Sequence, residues 1–225
     1  MKKSVSTSVL FVGLCFATAN ASAVTPITAC PKRYQPATID LTATVSTNLS
    51  GGCPLLDDKK LRKLVDKYAV GSVFVHPNQG PPYTCLSGTI NDGTIELNDK
   101  TINVKGTTES AQRIFPEALA VNPSMFGVFL TGISYDSTFF ASGAAVTIVS
   151  LKDKDANLDL QIVLDDRFTI DLSTFPYIDT EEFNVIGAKG ASVKGRLTGI
   201  AEISAPPGEP ILEAPFSVTG NICIN

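Results

Sequence analysis

The sequence predicts an all-β fold: an antiparallel β-sandwich or barrel of about ten strands, with one short amphipathic helix near the N-terminus. Three observations carry this expectation. Apolar and polar residues alternate with period two over several stretches, most cleanly at residues 158–164 and 193–203. Turn formers such as Asn98-Asp99 and Pro206-Pro207-Gly208 punctuate the alternating runs at short intervals. Two further stretches, residues 125–134 and 139–151, are apolar on both faces, as strands covered on both sides are.

The chain has 225 residues, and residues 1–23 read as a secretory signal peptide. Lys2 and Lys3 form the basic start and residues 9–17 the apolar stretch. Ala21-Ser22-Ala23 supplies the small-residue cleavage site. The short Met-Lys-Lys start is of the bacterial kind. Cleavage takes Lys2 and Lys3 from the 18 basic residues, leaving 16 against 22 acids and a net charge of −6. An acidic balance argues against nucleic acid as a partner. No apolar run of the mature chain reaches the ~18 residues of a membrane-spanning helix. The expected location is therefore exported, periplasmic or extracellular.

Cleavage also removes Cys15, leaving Cys30, Cys53, Cys85 and Cys223. An even number of cysteines in an exported chain reads as two disulfides. Three pairings are open, and the expected one joins Cys30 to Cys53 and Cys85 to Cys223. Sequence position divides the mature chain into an irregular N-terminal segment with one helix, 24–70, and an antiparallel β domain, 71–225.

Residues 24–54 are rich in Thr, Ser, Pro and Ala, with one alternating stretch at 39–45. The helix is expected over residues 57–69. Leu61, Leu64, Val65 and Tyr68 give it an apolar stripe, Asp57 a cap and Gly71 a stop. Its other face carries Lys59, Lys60, Arg62, Lys63 and Lys67, a solvated face or an anion-binding patch. A strand follows at 72–75. A meander is then expected from Tyr83, with turns at Asn91-Asp92-Gly93 and Asn98-Asp99-Lys100. The two apolar strands come next, separated by Tyr135-Asp136-Ser137. The alternation of 158–172 is too long for an ordinary strand, so a bend is placed at Asp165-Asp166-Arg167. Strands at 193–203 and 216–224 end the chain, Pro215 marking the start of the last.

The chemistry is narrowed by scarcity. His76 is the only histidine, so any Ser/His/Asp or Cys/His site would have to use it, and a multi-histidine zinc site is excluded. No phosphate-binding loop, dinucleotide fingerprint or CxxC pair occurs. Asp153, Asp155, Asn157 and Asp159 place oxygens at alternate positions, as a calcium loop does. Leu158 and Leu164 stand where an EF-hand needs Gly and Glu, so calcium would require a looser site; no other cofactor is expected. Asp165, Asp166, Asp171, Glu181 and Glu182 are the acids available to a carboxylate-based enzyme. No catalytic residue is singled out. The expected function is a non-enzymatic binding or structural module of the bacterial envelope or secretome, with an unknown ligand or protein partner. The alternative is a hydrolase or lyase working with carboxylates alone.

Overall fold

A computed structural model describes residues 29–48, 52–70, 84–114, 140–153, 155, 157–173, 175–205 and 211–225. The strands are β1 (Gln35–Thr47), β2 (Thr84–Leu97), β3 (Lys100–Asn103), β4 (Lys105–Ile114), β5 (Phe140–Asp153), β6 (Leu158–Asp171), β7 (Tyr177–Lys189), β8 (Val193–Ile203) and β9 (Ala214–Ile224). All pair antiparallel in the order β1-β9-β8-β7-β6-β5-β4-β2-β3. Strand β1 also pairs with β2, from Ala37↔Leu97 to Thr47↔Leu86, so the sheet closes on itself. The result is an eight-stranded up-and-down barrel with β3 as an extra strand. It decides for the barrel over the sandwich; nine strands lie among the described residues. The expected strands at 72–75 and 125–134, His76 and residues 1–23 lie outside the described residues.

Alternation decides which side chains enter the barrel. In β1, Ala37, Ile39, Leu41, Ala43 and Val45 are buried, while Thr38, Asp40 and Thr42 face solvent. Strand β1 belongs to the segment expected to be irregular. It is nevertheless hydrogen-bonded on both edges, to β9 and to β2, and completes the barrel.

Closure also explains two turns that are not there. Strand β6 runs unbroken, paired to β5 from Asp153↔Leu158 to Phe140↔Asp171, so Asp165-Asp166-Arg167 is not a bend. Strands tilted around a barrel must be long enough to keep both neighbours. Asn91-Asp92-Gly93 is not a hairpin turn either. It lies within β2, where the pairing to β1 steps from Thr42↔Asp92 to Ala43↔Ile90, leaving Asn91 as the extra residue of a bulge. Past the bulge the other edge of β2 changes partner, from β4 to β3. The turn at Asn98-Asp99 is as expected, with φ of 51° and 59°, the left-handed pair a two-residue hairpin requires.

Two short helices, α1 (Pro54–Asp57) and α2 (Lys59–Tyr68), pack on the outside of the barrel. Asp58, rather than Asp57, caps α2, accepting from Lys60 N (2.7 Å) and Leu61 N (3.0 Å). Asp57 instead reaches back to Cys53 N at 2.6 Å, bracing the start of α1. Leu55, Leu56, Leu64 and Val65 form one apolar cluster with Ala111, Val146, Ile148 and Val163 of the barrel's outer surface. This cover is the reason β5 is apolar on both faces: Val146 and Ile148 meet the helices while Val149 and Leu151 fill the barrel. The Tyr68 ring lies flat over Gly187, where a Cβ would come within 2.2 Å of it, and its hydroxyl donates to Ala188 O. Among the described residues, no helix is long and apolar enough to cross a membrane.

The four cysteines form two disulfides, but not in the expected pairing. Cys30 bonds Cys223 and Cys53 bonds Cys85. The expected pairing took neighbours in sequence; β1 lies between Cys30 and Cys53 and carries the chain to the opposite end of the barrel. One bridge ties the segment before β1 to the last strand, and the other ties the start of α1 to β2. The bridges span 193 and 32 residues of sequence. In the chain-entropy view the longer loop is worth about 5 kcal/mol and the shorter about 4 kcal/mol. Denaturant melts of the double variants Cys30→Ser/Cys223→Ser and Cys53→Ser/Cys85→Ser should show losses in that order. Peptide mapping without reductant should recover Cys30 with Cys223; a Cys30–Cys53 peptide would refute the topology.

Candidate functional site

The two ends of the barrel differ. At one end the connections are the short turns β2–β3, β5–β6 and β7–β8. Inward side chains there are large and apolar, including Ile39, Leu41, Ile95, Leu151, Leu160, Ile162 and Ile222, all at most 2% exposed. At the other end β1 leaves for β2, β4 for β5, β6 for β7 and β8 for β9. Here the interior is not filled by hydrocarbon.

Strands β4, β5 and β7 line one wall of this second end with polar groups. Thr108, Ser110 and Gln112 come from β4, Thr147 from β5, and Asp179 and Glu181 from β7; Asp166 of β6 is fully buried behind Thr147, to which it is hydrogen-bonded. Val45, Ala201, Ile203, Ala214 and Phe216 form the facing apolar wall. The hollow between them holds about 60 Å³ of enclosed space, and about 590 Å³ of atom-free space when its open mouth is included. That enclosed space suits a few waters or one small molecule. Small residues make the room, since Gly199 admits the Phe183 and Phe216 rings and Ala201 pairs with Asp179.

The three acids reach the interior by parity. Asp179 and Glu181 are two apart on β7, hence on one face, and Phe183 continues that face into the core. Asp166 takes the inward parity of Leu164 and Phe168 on β6 and is paired to Ala145 and Phe183. Asp166 is fully buried, and Asp179 is 6% exposed. Asp166 Oδ1 and Asp179 Oδ1 have no hydrogen-bond partner. A buried acceptor without a donor is costly, so each of these atoms calls for one.

Electrostatics follows from this burial. Asp179 is raised to about 7, chiefly by loss of water, against which its hydrogen bond with Glu181 works. Burial also raises Glu181 well above the usual carboxylate range, helped by the charges of Asp179 and Asp166. Asp166 is raised by burial and by the charge of Asp165, with its Thr147 hydrogen bond opposing. No Lys, Arg or His lines the hollow among the described residues. Thr147 Oγ1 bridges Asp166 Oδ2 and Ser110 Oγ, the latter at 2.9 Å. A threonine hydroxyl has one proton to give. With Asp166 protonated the chain runs in one direction, carboxyl to Thr147 to Ser110. The hydroxyls thus accommodate a neutral Asp166.

The acids expected from sequence therefore separate. Glu181 lines the hollow, and Asp166 is buried on the inward face of β6 behind Thr147. Asp165 occupies the opposite parity of β6, Glu182 is exposed, and Asp171 ends β6. Asp171 accepts from Ser173 N and Ser173 Oγ, which lower its pKa. Asp179 was not anticipated, although its spacing from Glu181 and Phe183 places all three on one strand face. Asp153, Asp155, Asn157 and Asp159 surround the β5–β6 turn at the other end of the barrel, where Asp155 N donates to Asp153 Oδ1. Among the described residues, no group of three or more His, Cys, Asp or Glu is arranged to hold a metal. Lys59, Lys60, Arg62, Lys63 and Lys67 spread over the solvent side of α2. Arg62 lies 3.9 Å from Asp66, and Lys67 lies over the Tyr68 ring. A larger open groove of about 420 Å³ crosses the β1, β2, β3 and β9 corner. Its charged residues Glu96, Asp99 and Lys100 are exposed and do not converge.

No protein-family model, no curated protein and no solved structure matches this chain.

The raised acids give a signed pH dependence. Between the ordinary carboxylate pKa and that of buried Asp179, the folded chain holds protons that the unfolded chain has lost. Stability contributed by these groups is therefore full below about pH 4. It falls as pH rises, until Asp179 ionises near its folded value of about 7. Urea midpoints should decline from pH 5 to pH 8, and Asp179→Asn should reduce that slope. A midpoint that rises over this interval, or an unchanged slope in the variant, would contradict the assigned burial.

Proposed function

We propose that this chain is a disulfide-braced β-barrel acting outside the cytoplasm as a non-enzymatic binding module, with the polar hollow as its ligand site. The single observation that carries the reading is Asp179. Its carboxyl is buried, faces the hollow and has an oxygen without a donor. A folded chain that needed only stability would have replaced it with hydrocarbon. An eight-stranded barrel is just wide enough to be filled or to hold one small ligand at its mouth, and here filling stops halfway. Two disulfides, together with the signal-like residues 1–23, support an oxidising compartment of a bacterial envelope or secretome.

A second reading has a specific observation behind it. Asp179, near 7 and hydrogen-bonded to Glu181, itself raised by burial well above the usual carboxylate range, resembles the paired carboxyls with which hydrolases and lyases exchange protons. The two readings part on the fate of the ligand, since a binder returns it unchanged and an enzyme does not.

Thermal melts with a panel of short amines, carboxylic acids, alcohols and sugars test the first reading. A ligand at about a hundred times its Kd adds about 2.7 kcal/mol, which raises Tm of a chain this size by roughly 5–10 °C. Ala201→Leu fills the hollow opposite Asp179 and should abolish the shift; where leucine overpacks, Ala201→Val should weaken it. A panel with no shift, or a shift that survives both variants, would reject the hollow as the site. Mass spectrometry of the bound ligand after long incubation decides between binding and turnover.

A further inference from the structure

The hollow's two walls specify more than a small ligand. One wall offers acceptors and the other hydrocarbon, and no cation lines it among the described residues. We infer that the hollow takes a short primary alkylammonium ion, its head among Asp179, Glu181 and the hydroxyls of β4 and β5, its chain against Phe216 and Ala201. This rests on the hollow being the ligand site.

Chemistry narrows the choice in three steps. Asp179 Oδ1 lacks a donor, and an ammonium head brings three. A planar guanidinium seeks both oxygens of a carboxylate, but the Asp179 carboxyl is already hydrogen-bonded to Glu181. A hard metal ion wants six or more oxygens around it, whereas half of this lining is aliphatic or aromatic. The enclosed space of about 60 Å³ limits the ligand to a few carbons, with any remainder in the open mouth.

The groups facing the head are few. Strand β7 supplies Asp179 and Glu181, with Tyr177 two residues nearer the rim. Strand β6 supplies only Ile170 to the lining; its Asp166 is buried behind Thr147, and Asp165 adds its charge from the other face. Strands β4 and β5 supply Ser110, Gln112 and Thr147, and β8 and β9 add only apolar side chains. An arriving ammonium therefore selects the ionised form of Asp179 and drives its proton to solvent. Below the Asp179 midpoint only the ionised fraction is competent, so affinity should fall about tenfold per pH unit.

Calorimetric titration of the full chain with propylammonium chloride, at pH 5, 6, 7 and 8, tests this. Each pH is run in two buffers of different ionisation enthalpy. The expected result is one site, tightening from pH 5 to pH 7 and levelling by pH 8, with proton release below pH 7. Asp179→Asn should lose binding while staying folded, and Glu182→Gln, which faces outward, should keep it. Ala201→Leu, which fills the space opposite Asp179 and leaves the acids in place, should also lose binding and so covers an Asp179 variant that does not fold. Equal, pH-independent binding of 1-propanol overturns the cation while leaving the hollow as a site. Calcium chloride competing with the amine, or an amine that fails where another ligand gives a melt shift blocked by Ala201→Leu, overturns the alkylammonium ion in the same way. If no ligand of any class binds, both readings fall together.

Discussion

Closure of the sheet by β1 is the constraint on which the rest depends. Strand β1 pairs along its length with β9 on one side and β2 on the other. Without it the eight-stranded ring would be an open sheet with two long unpaired edges. Closing the ring obliges the strands to tilt and lengthen, which is why β6 continues through Asp165-Asp166-Arg167 and β2 absorbs Asn91 as a bulge. It also defines an inside. Every inward position then competes for one narrow volume, and the chain fills only half of it with hydrocarbon.

The unfilled half concentrates cost in one place. Asp179 and Glu181 line the hollow with Asp166 buried behind Thr147, and two oxygens of the three carboxyls lack donors. Mutual repulsion and burial act in the same direction, keeping protons on the acids well above their usual range. Such an arrangement stores a preference for a positive or proton-donating guest. The filled half, the helices clamped over β5 to β7 and the two bridges supply the rigidity that makes this preference affordable. Polar groups of β4, β5 and β7 and the hydrocarbon of the other lining strands meet in the hollow, so a guest would touch both at once.

Much of the fold was legible residue by residue. The alternation of β6 and β8, the left-handed turn at Asn98-Asp99 and the apolar stripe of α2 each follow from interactions within a few residues. The two-sided apolar character of β5 pointed to a covered strand, though not to helices as its cover. Asn91-Asp92-Gly93 misled, because the same residues that permit a turn also permit a bulge, and only the partner strand distinguishes them. Within the site, Asp166 carried a readable signal: an acid on the parity of Leu164 and Phe168. Glu181 stood among the candidate acids without a reason to prefer it over Glu182.

By itself, the sequence determined an antiparallel β chain with a helix in its first third and cysteines able to form two bridges. Periodicity, turn chemistry and composition are local, and locality is what a single chain displays. Tertiary structure alone decided the rest. It chose a barrel over a sandwich, joined Cys30 to Cys223 and Cys53 to Cys85, turned Asp179 and Glu181 toward one hollow and buried Asp166 behind Thr147. The physical reason is that strand register and ring closure set which residues far apart in sequence share an interior. Spacing along the chain reveals which face a residue takes, but not what stands opposite.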